Sequence, residues 1–268
     1  MRAACVQLCS GTGEAANIAA ADALIRAAAK DGAEFIATPE NTTIMQISTK
    51  ALFASITVED NNTAIAHFRA LAKELGIDLL IGSMAIKLSD TKAANRSYLF
   101  GAGGEIIARY DKMHMFDVTI NETETWQESA NYTAGQTPVT ADIGAFKLGM
   151  SICYDLRFAA LYKYYAAKGT HLITVPAAFT AITGKAHWEV LLRARAIETS
   201  AYVMAPAQGG THQNGRATWG RSMIIDPWGE IIAHLDGDAP GYCIADLDMD
   251  KLTDIRARIP AWQQQTKL

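Results

Sequence analysis

Three residues with complementary chemistry each stand just after an apolar run: Glu40 after EFIATP, Lys112 after EIIARYD and Cys153 after KLGMSI. A carboxylate can take a proton, an ammonium can hold developing negative charge, and a thiolate can attack an electrophilic carbon. Taken singly, each also fits a plainer role: Glu40 as a cap on the following segment, Lys112 as a solvated charge, Cys153 as a core thiol. Taken together they write acyl transfer through a thioester. A free thiol has a pKa of about 8.5, so a nearby Lys112 is expected to raise the thiolate fraction while Glu40 serves as base.

For this chemistry to occur, elements far apart in sequence must end at one place. In α/β sheets ligands bind beyond the carboxyl ends of the strands, where side chains from different strands converge. The pattern supplies such strands. Ala3 to Cys9, Glu34 to Thr38 and Ile77 to Ile86 read as buried strands, alternating with helices over Ala15 to Lys30 and Asp60 to Leu75 that carry apolar residues at helical spacing. Tyr98 to Phe100 and Ile106 to Tyr110, joined across Gly101, Gly103 and Gly104, read as a hairpin, so the sheet is mixed. Periodicity disappears from Met113 to Ala141, which predicts a long functional loop. Later strands are expected at Tyr202 to Ala205, Ser222 to Ile225, Ile231 to His234 and Tyr242 to Ala245. The segment GAEFIATPENTTI (Gly32 to Ile44) also aligns with GTHLITVPAAFTAI (Gly169 to Ile182), which suggests a duplicated strand-helix-strand unit and a pseudo-symmetric two-sheet core.

Composition narrows the function class. The chain has 268 residues, 50% of them hydrophobic, enough for a sizeable core, and no Pro/Ser-rich linker divides it, so residues 1–268 read as one domain. The net charge of -4 and the lack of a Lys/Arg cluster exclude a nucleic-acid footprint and leave small-molecule chemistry. Four cysteines without CxxC spacing fit a reduced, cytoplasmic protein. MRAACVQLCSGTG does not read as a secretory leader, and no 18 apolar residues run together, so no membrane span is expected.

TPE at Thr38 to Glu40, YDKMHMFD at Tyr110 to Asp117 and SICYDLRF at Ser151 to Phe158 occur in the order of the three signature blocks of the nitrilase superfamily of carbon-nitrogen hydrolases, which the chain resembles over nearly its whole length. AHWEVLLRARAIET (Ala186 to Thr199) and SMIIDPWGE (Ser222 to Glu230) extend the resemblance. It implies a four-layer αββα sandwich with two mixed sheets and a Glu-Lys-Cys triad at Glu40, Lys112 and Cys153. It also implies that Glu128 positions the lysine and the substrate, that neither a metal nor an organic cofactor takes part, and that the protein is a homodimer or a higher homo-oligomer. The backbone N–H of Tyr154 and the Lys112 ammonium are the expected oxyanion donors.

Tyr154 and Asp155 follow the nucleophile where nitrile-cleaving members tend to carry Trp and Glu, which favours an amide substrate. TGKAHWEVLLRARAIET and DPWG are similar to the Nit branch, whose members cleave an amide next to a 2-oxo acid skeleton. Deaminated glutathione is the expected substrate, with 2-oxoglutaramate or another small amide or carbamoyl compound as the alternative. Such substrates carry carboxylates, so Arg157 is the candidate to bind one, or else forms a salt bridge that fixes its turn. Phe179, Thr183 and His187 are expected to line the same pocket. Arg193, Arg195, Glu189 and Glu198 form helical charge pairs that read as a structural or subunit-interface face. Ala159 and Ala160 replace a Pro-Glu common among relatives, which removes an ion pair near the nucleophile. A competing class is dinucleotide binding: Gly11, Gly13 and Ala16 spell GxGxxA between a strand and a helix, with Glu40 as the ribose acid.

Overall fold

The computed structural model describes residues 1–122 and 124–264. The chain opens with β1 (Arg2–Gln7), α1 (Glu14–Lys30), β2 (Phe35–Ala37), α2 (Thr49–Ser55), α3 (Thr63–Leu75), β3 (Asp78–Lys87), β4 (Ala93–Phe100) and β5 (Ile106–Asp111). A short hairpin, β6 (Asp117–Asn121) and β7 (Glu124–Gln127), leads to β8 (Thr140–Ile143), β9 (Phe146–Met150), α4 (Ala159–Ala167), β10 (Leu172–Thr174), α5 (Ala181–Thr199) and β11 (Tyr202–Ala205). A second hairpin, β12 (Gly209–Thr211) and β13 (Ala217–Trp219), precedes β14 (Met223–Ile225), β15 (Ile231–His234), β16 (Gly241–Asp246) and α6 (Met249–Arg258).

Two six-stranded sheets result, ordered β16-β1-β2-β3-β4-β5 and β15-β14-β11-β10-β9-β8. Read from opposite ends they share one plan. In each, an antiparallel edge strand is followed by three parallel strands and two more antiparallel ones. The aligned segments Gly32 to Ile44 and Gly169 to Ile182 hold β2 and β10, the middle parallel strand of each sheet.

Strand periodicity sorts the layers. Ala3, Cys5, Phe35, Ala37, Leu80 and Leu99 point to the second sheet and share a buried cluster with Leu148, Met150, Leu172 and Met204, which lie on one face of it. Their alternates Ala4, Val6, Ile36, Leu79 and Ile81 face the helical layer, where Ala21, Ile25 and Phe68 cover them. On the far side Tyr162, Tyr165, Trp188 and Leu192 of α4 and α5 pack onto the second sheet. The architecture is therefore the expected αββα sandwich. Among the described residues no helix is long and apolar enough to cross a membrane.

Several boundaries differ from the expectation for identifiable reasons. Helix α3 starts after Asn62, whose side chain accepts from the Ile65 N–H at 3.0 Å as an N-cap, rather than at Asp60. Strand β4 reaches back to Ala93 because its pairing with β3, not the β propensity of Ala-Ala-Asn-Arg, holds it extended. The expected loop from Met113 to Ala141 contains the β6–β7 hairpin, whose polar, alternately exposed strands hide their period from an apolar reading.

The two halves meet closely where β2 and β10 end. A side chain at Gly82 would place its first carbon 2.0 Å from the Thr38 carbonyl oxygen and 2.4 Å from Pro176, so only glycine lets the loops after β2 and β10 approach there. That contact brings the two strand ends together.

Candidate active site

Past the end of β2, the Thr38 N–H donates to the Leu80 carbonyl, and Asn41 takes a positive φ of 57° with its N–H on the Ser83 hydroxyl. These bonds hold Glu40 with its carboxylate turned inward and 3% exposed. Lys112, one residue past β5, is fixed through its backbone: its N–H donates to Asn95 and its carbonyl accepts from Gly135. Its ammonium is 2% exposed and donates to Glu40 Oε1 at 2.8 Å and to both oxygens of Glu128, at 3.1 and 2.9 Å. Glu128, in the turn after β7, also accepts from the Phe116 N–H at 2.7 Å.

Cys153 follows β9 at the start of a short helical turn. Its φ of 50° is one of few positive values outside glycine, and its N–H donates to the Pro176 carbonyl at 2.9 Å. Such a backbone is costly for a side-chain-bearing residue and persists where the surroundings hold it. The thiol stands among Glu40, Lys112 and the Ala178 N–H, each of which acts on its ionisation. That same N–H reaches Glu40 Oε2 at 2.9 Å. The structure thus gathers Glu40, Lys112 and Cys153, all buried, and the partly buried Glu128 into one cluster.

Asp155 ties the nucleophile's turn to the lysine's strand. Fully buried, it accepts from the Ile152 N–H at 2.9 Å, the Tyr110 hydroxyl at 2.7 Å, and both the N–H and the ring of His114 at 3.0 and 2.7 Å. Arg195 of α5 holds the turn from the other side by donating twice to the Leu156 carbonyl, and it also pairs with Glu198 at 2.7 Å. Ala159 and Ala160 are exposed in the first turn of α4, which has no acidic residue.

The charge count corrects one expectation. Two carboxylates and one ammonium leave the cluster with a net negative charge, so Lys112 does not make a resting thiolate. Burial, then the adjacent Glu40 charge, push the Cys153 thiol well up, more than Lys112 lowers it. Burial also pushes Glu40 up, but attraction to Lys112 and its hydrogen bond outweigh this and hold Glu40 below the usual carboxylate range. Burial disfavours the Lys112 ammonium, yet Glu128 and Glu40 keep it charged far into alkali. The resting site is therefore a neutral thiol on an ionised base.

A pH profile follows from these directions. Because the Glu40 pKa is depressed, both its stabilising charge and its base form are present above the ordinary glutamate pKa of about 4.3 and are lost only as pH falls below it. We expect kcat/KM to have its acid limb there and to show no thiol limb. Alkylation of Cys153 by a neutral reagent, followed from pH 6 to 10, should show no inflection near the free-thiol value of about 8.5. A clear step at that pH would contradict the assignment of a raised thiol.

The cluster forms the floor of a cavity of about 330 Å³, with Phe116, Trp126, Tyr132 and Phe179 among its walls. Of the five residues expected to line it besides the cluster, Phe179 does. Tyr154 instead packs its ring edge-on to Phe116 and Phe158, with centroids 5.1 and 5.4 Å away. Arg157 lies over the Phe179 ring, outside the cavity lining, and contacts the ring nitrogen of exposed His187 at 3.3 Å. Thr183 bonds the Thr180 hydroxyl at the N-terminus of α5. None of these four lines the cavity. The peptide N–H of Tyr154 lies in the first turn of its short helix, where N–H groups have no partner within the helix.

Two polar residues of the site escaped the sequence reading. Asn95 of β4 donates to Glu40 Oε1 at 2.9 Å and to Glu128 Oε1 at 3.1 Å, bridging the two carboxylates. Nothing in AANRSYLF marks it. Arg216 lines the cavity from the β12–β13 hairpin; the Asn214-Gly215 pair, with Gly215 at φ 83°, is the hairpin signal that could have located it. Glu40, which dinucleotide binding would assign to a ribose, is buried against Lys112. Among the described residues no group of three or more His, Cys, Asp or Glu side chains is arranged to hold a metal ion.

The sequence profile of the carbon-nitrogen hydrolase family matches residues 2–257. A deaminated glutathione amidase of Synechocystis sp. is 40% identical over 268 residues, 98% of this chain and 97% of the relative. Among solved structures, the C. elegans NitFhit protein superposes with a TM-score of 0.91 at 31% identity, covering 98% of this chain; the chain spans only 64% of that longer protein. A mutant amidase from Nesterenkonia sp. AN1, in which acrylamide has added to the active-site cysteine, gives a TM-score of 0.81 at 25% identity and covers 97% of this chain and 98% of its own.

Proposed function

The chain belongs to the carbon-nitrogen hydrolase family and is an amide hydrolase, and we propose that Cys153 is its nucleophile, Glu40 its general acid and base, and Lys112 its oxyanion partner. The observation that carries this reading is that Cys153 lines one cavity with Glu40, Lys112 and Glu128, where Lys112 bridges the two carboxylates at 2.8 and 2.9 Å.

As sulfur adds to the amide carbon, the thiol proton passes to Glu40 and the carbonyl electron pair moves onto oxygen. Negative charge is relocated, not created. Glu40 becomes neutral as the oxyanion forms, so Lys112 exchanges one carboxylate partner for the oxyanion and keeps the other, Glu128. This gain exists only once the tetrahedral species forms, which is the condition for lowering a barrier rather than only binding substrate. The Tyr154 N–H is the second donor in this scheme. Glu40 then protonates the leaving nitrogen, the C–N bond breaks, and a thioester remains on Cys153. Water attacks next, giving its proton to Glu40, and collapse releases the carboxylic acid and restores the thiol. Asn95 and Glu128 keep Glu40 and Lys112 in register.

For the substrate we propose deaminated glutathione, on the strength of the relative that carries that name at 40% identity over almost the full chain. Comparing kcat/KM for deaminated glutathione, 2-oxoglutaramate and short aliphatic amides tests this. The first is expected to lead; short aliphatic amides ahead of both others by a wide margin would refute the substrate assignment. We further propose a reduced cytoplasmic setting, which suits four free cysteines, and a homodimer or larger homo-oligomer, for which the exposed Ile182, Val190 and Ile197 on α5 offer an apolar face.

A further inference from the structure

Arg216 is the cation of this cavity that the proposed chemistry leaves unused. The other, Lys112, is engaged by Glu40 and Glu128. Among the described residues Arg216 has no carboxylate partner within ion-pair distance. Its guanidinium lies over the Trp126 ring, 4.6 Å from the centroid, and one terminal nitrogen donates to the Ala178 carbonyl. Its Nε is buried without a hydrogen-bond partner. A buried guanidinium N–H left unpaired is costly, and a planar fork of donors on an aromatic face is suited to a carboxylate.

Position decides which carboxylate. Arg216 lines both the catalytic cavity and a second one of about 540 Å³ that shares Trp126 and Asn214 with it, so it stands at the passage between them. It is also on Glu40's flank. Ala178, whose carbonyl accepts from Arg216, gives its N–H to Glu40, and the Arg216 charge acts on that carboxylate. Glu40 is the group that must protonate the departing nitrogen, so the leaving amine extends along this flank towards the outer cavity. Asn214 fixes the hairpin there, with its side chain donating to the Gln46 carbonyl at 3.1 Å and accepting from the Arg216 N–H at 2.9 Å. Glu124, the acidic residue in the outer wall, accepts from the Trp126 indole at 3.1 Å.

We propose that Arg216 binds a carboxylate carried by the departing amine and so makes that carboxylate a determinant of turnover. This rests on the triad roles proposed above and assigns a specificity residue that those roles do not require.

The test uses three amides of one acyl group, 2-oxoglutaryl joined to glycylglycine, to glycylglycinamide and to ammonia, with wild type, Arg216→Gln and Arg216→Lys. Wild type is expected to favour the free carboxylate over its capped twin by about 10- to 100-fold in kcat/KM, the range of a charge-assisted hydrogen bond. Arg216→Gln should bring that ratio to within about threefold, and Arg216→Lys should keep part of it, since an ammonium lacks the fork. A wild-type ratio near one overturns the proposal without need of any variant, as does a ratio that survives Arg216→Gln. If wild type cleaves none of the three, the proposed function falls and this inference with it, whereas cleavage without discrimination removes the Arg216 role alone.

Discussion

Cys153→Ala is expected to abolish product release while leaving the fold in place. Removing a covalent nucleophile typically lowers kcat by at least about 10⁴-fold, because the remaining groups have no atom to carry the acyl chain. The fold should tolerate the change for local reasons. Alanine keeps the Cys153 N–H on Pro176, and Glu40 retains Lys112, Asn95 and Ala178 as partners after the thiol is gone. The positive φ is no worse for alanine than for cysteine. Circular dichroism melting should therefore give a Tm close to that of wild type. Cys153→Ser sharpens the experiment: a hydroxyl can still donate to Glu40, yet its far higher pKa removes the nucleophile. Both variants should be inactive, and rapid quenching of wild type with substrate should show one acyl mass added at Cys153. Full turnover in Cys153→Ala would refute the thioester mechanism.

Glu40, Lys112 and Cys153 were legible because each follows an apolar run, and strand ends are where an α/β sheet collects chemistry, whereas Glu128 came from the family resemblance alone. What could not be read was how the side chains divide the space. Arg157, four residues past the nucleophile, looked like the substrate's cation, but its turn carries it across the outer face of Phe179 towards His187. Arg216, 63 residues past Cys153, reaches the cavity instead because a hairpin folds back over it. Asn95 lies mid-strand with no accompanying pattern, and its importance arises only when β4 is paired beside β5 and the loop after β2 closes on it. The thiolate expectation failed for a related reason. It counted the nearest opposite charge, whereas the Cys153 pKa depends on the whole cluster and on burial. The αββα layers were what the family resemblance implied, while the repeat of Gly32 to Ile44 at Gly169 to Ile182 suggested the two-sheet core and marks the middle strands of the two sheets.

Lys112→Met should be as damaging to the fold as to catalysis, which sets it apart from Cys153→Ala. The ammonium is the cation between Glu40, buried with it, and the partly buried Glu128. Removing one partner of a buried charge cluster typically costs about 3–5 kcal/mol, because the remaining charges lose their compensation while still excluded from water. Here two carboxylates would be left sharing Asn95, each disfavouring ionisation of the other. The pH dependence of stability should then change sign. In wild type Glu40 is depressed, so its contribution is present above about pH 4.3 and lost as pH falls further. In the variant, burial and Glu128 would raise Glu40 above its unfolded value, so the variant keeps its stability below that pH and loses it as pH rises. Urea midpoints measured at pH 4 and pH 7 should show the gap to wild type wider at pH 7. Adding Glu128→Gln to Lys112→Met removes one of the opposed charges and should recover part of the lost stability without restoring turnover, since no ammonium remains for the oxyanion. A gap equal at both pH values, with no recovery in the double variant, would mean that Lys112 supports the fold by its packing rather than by its charge.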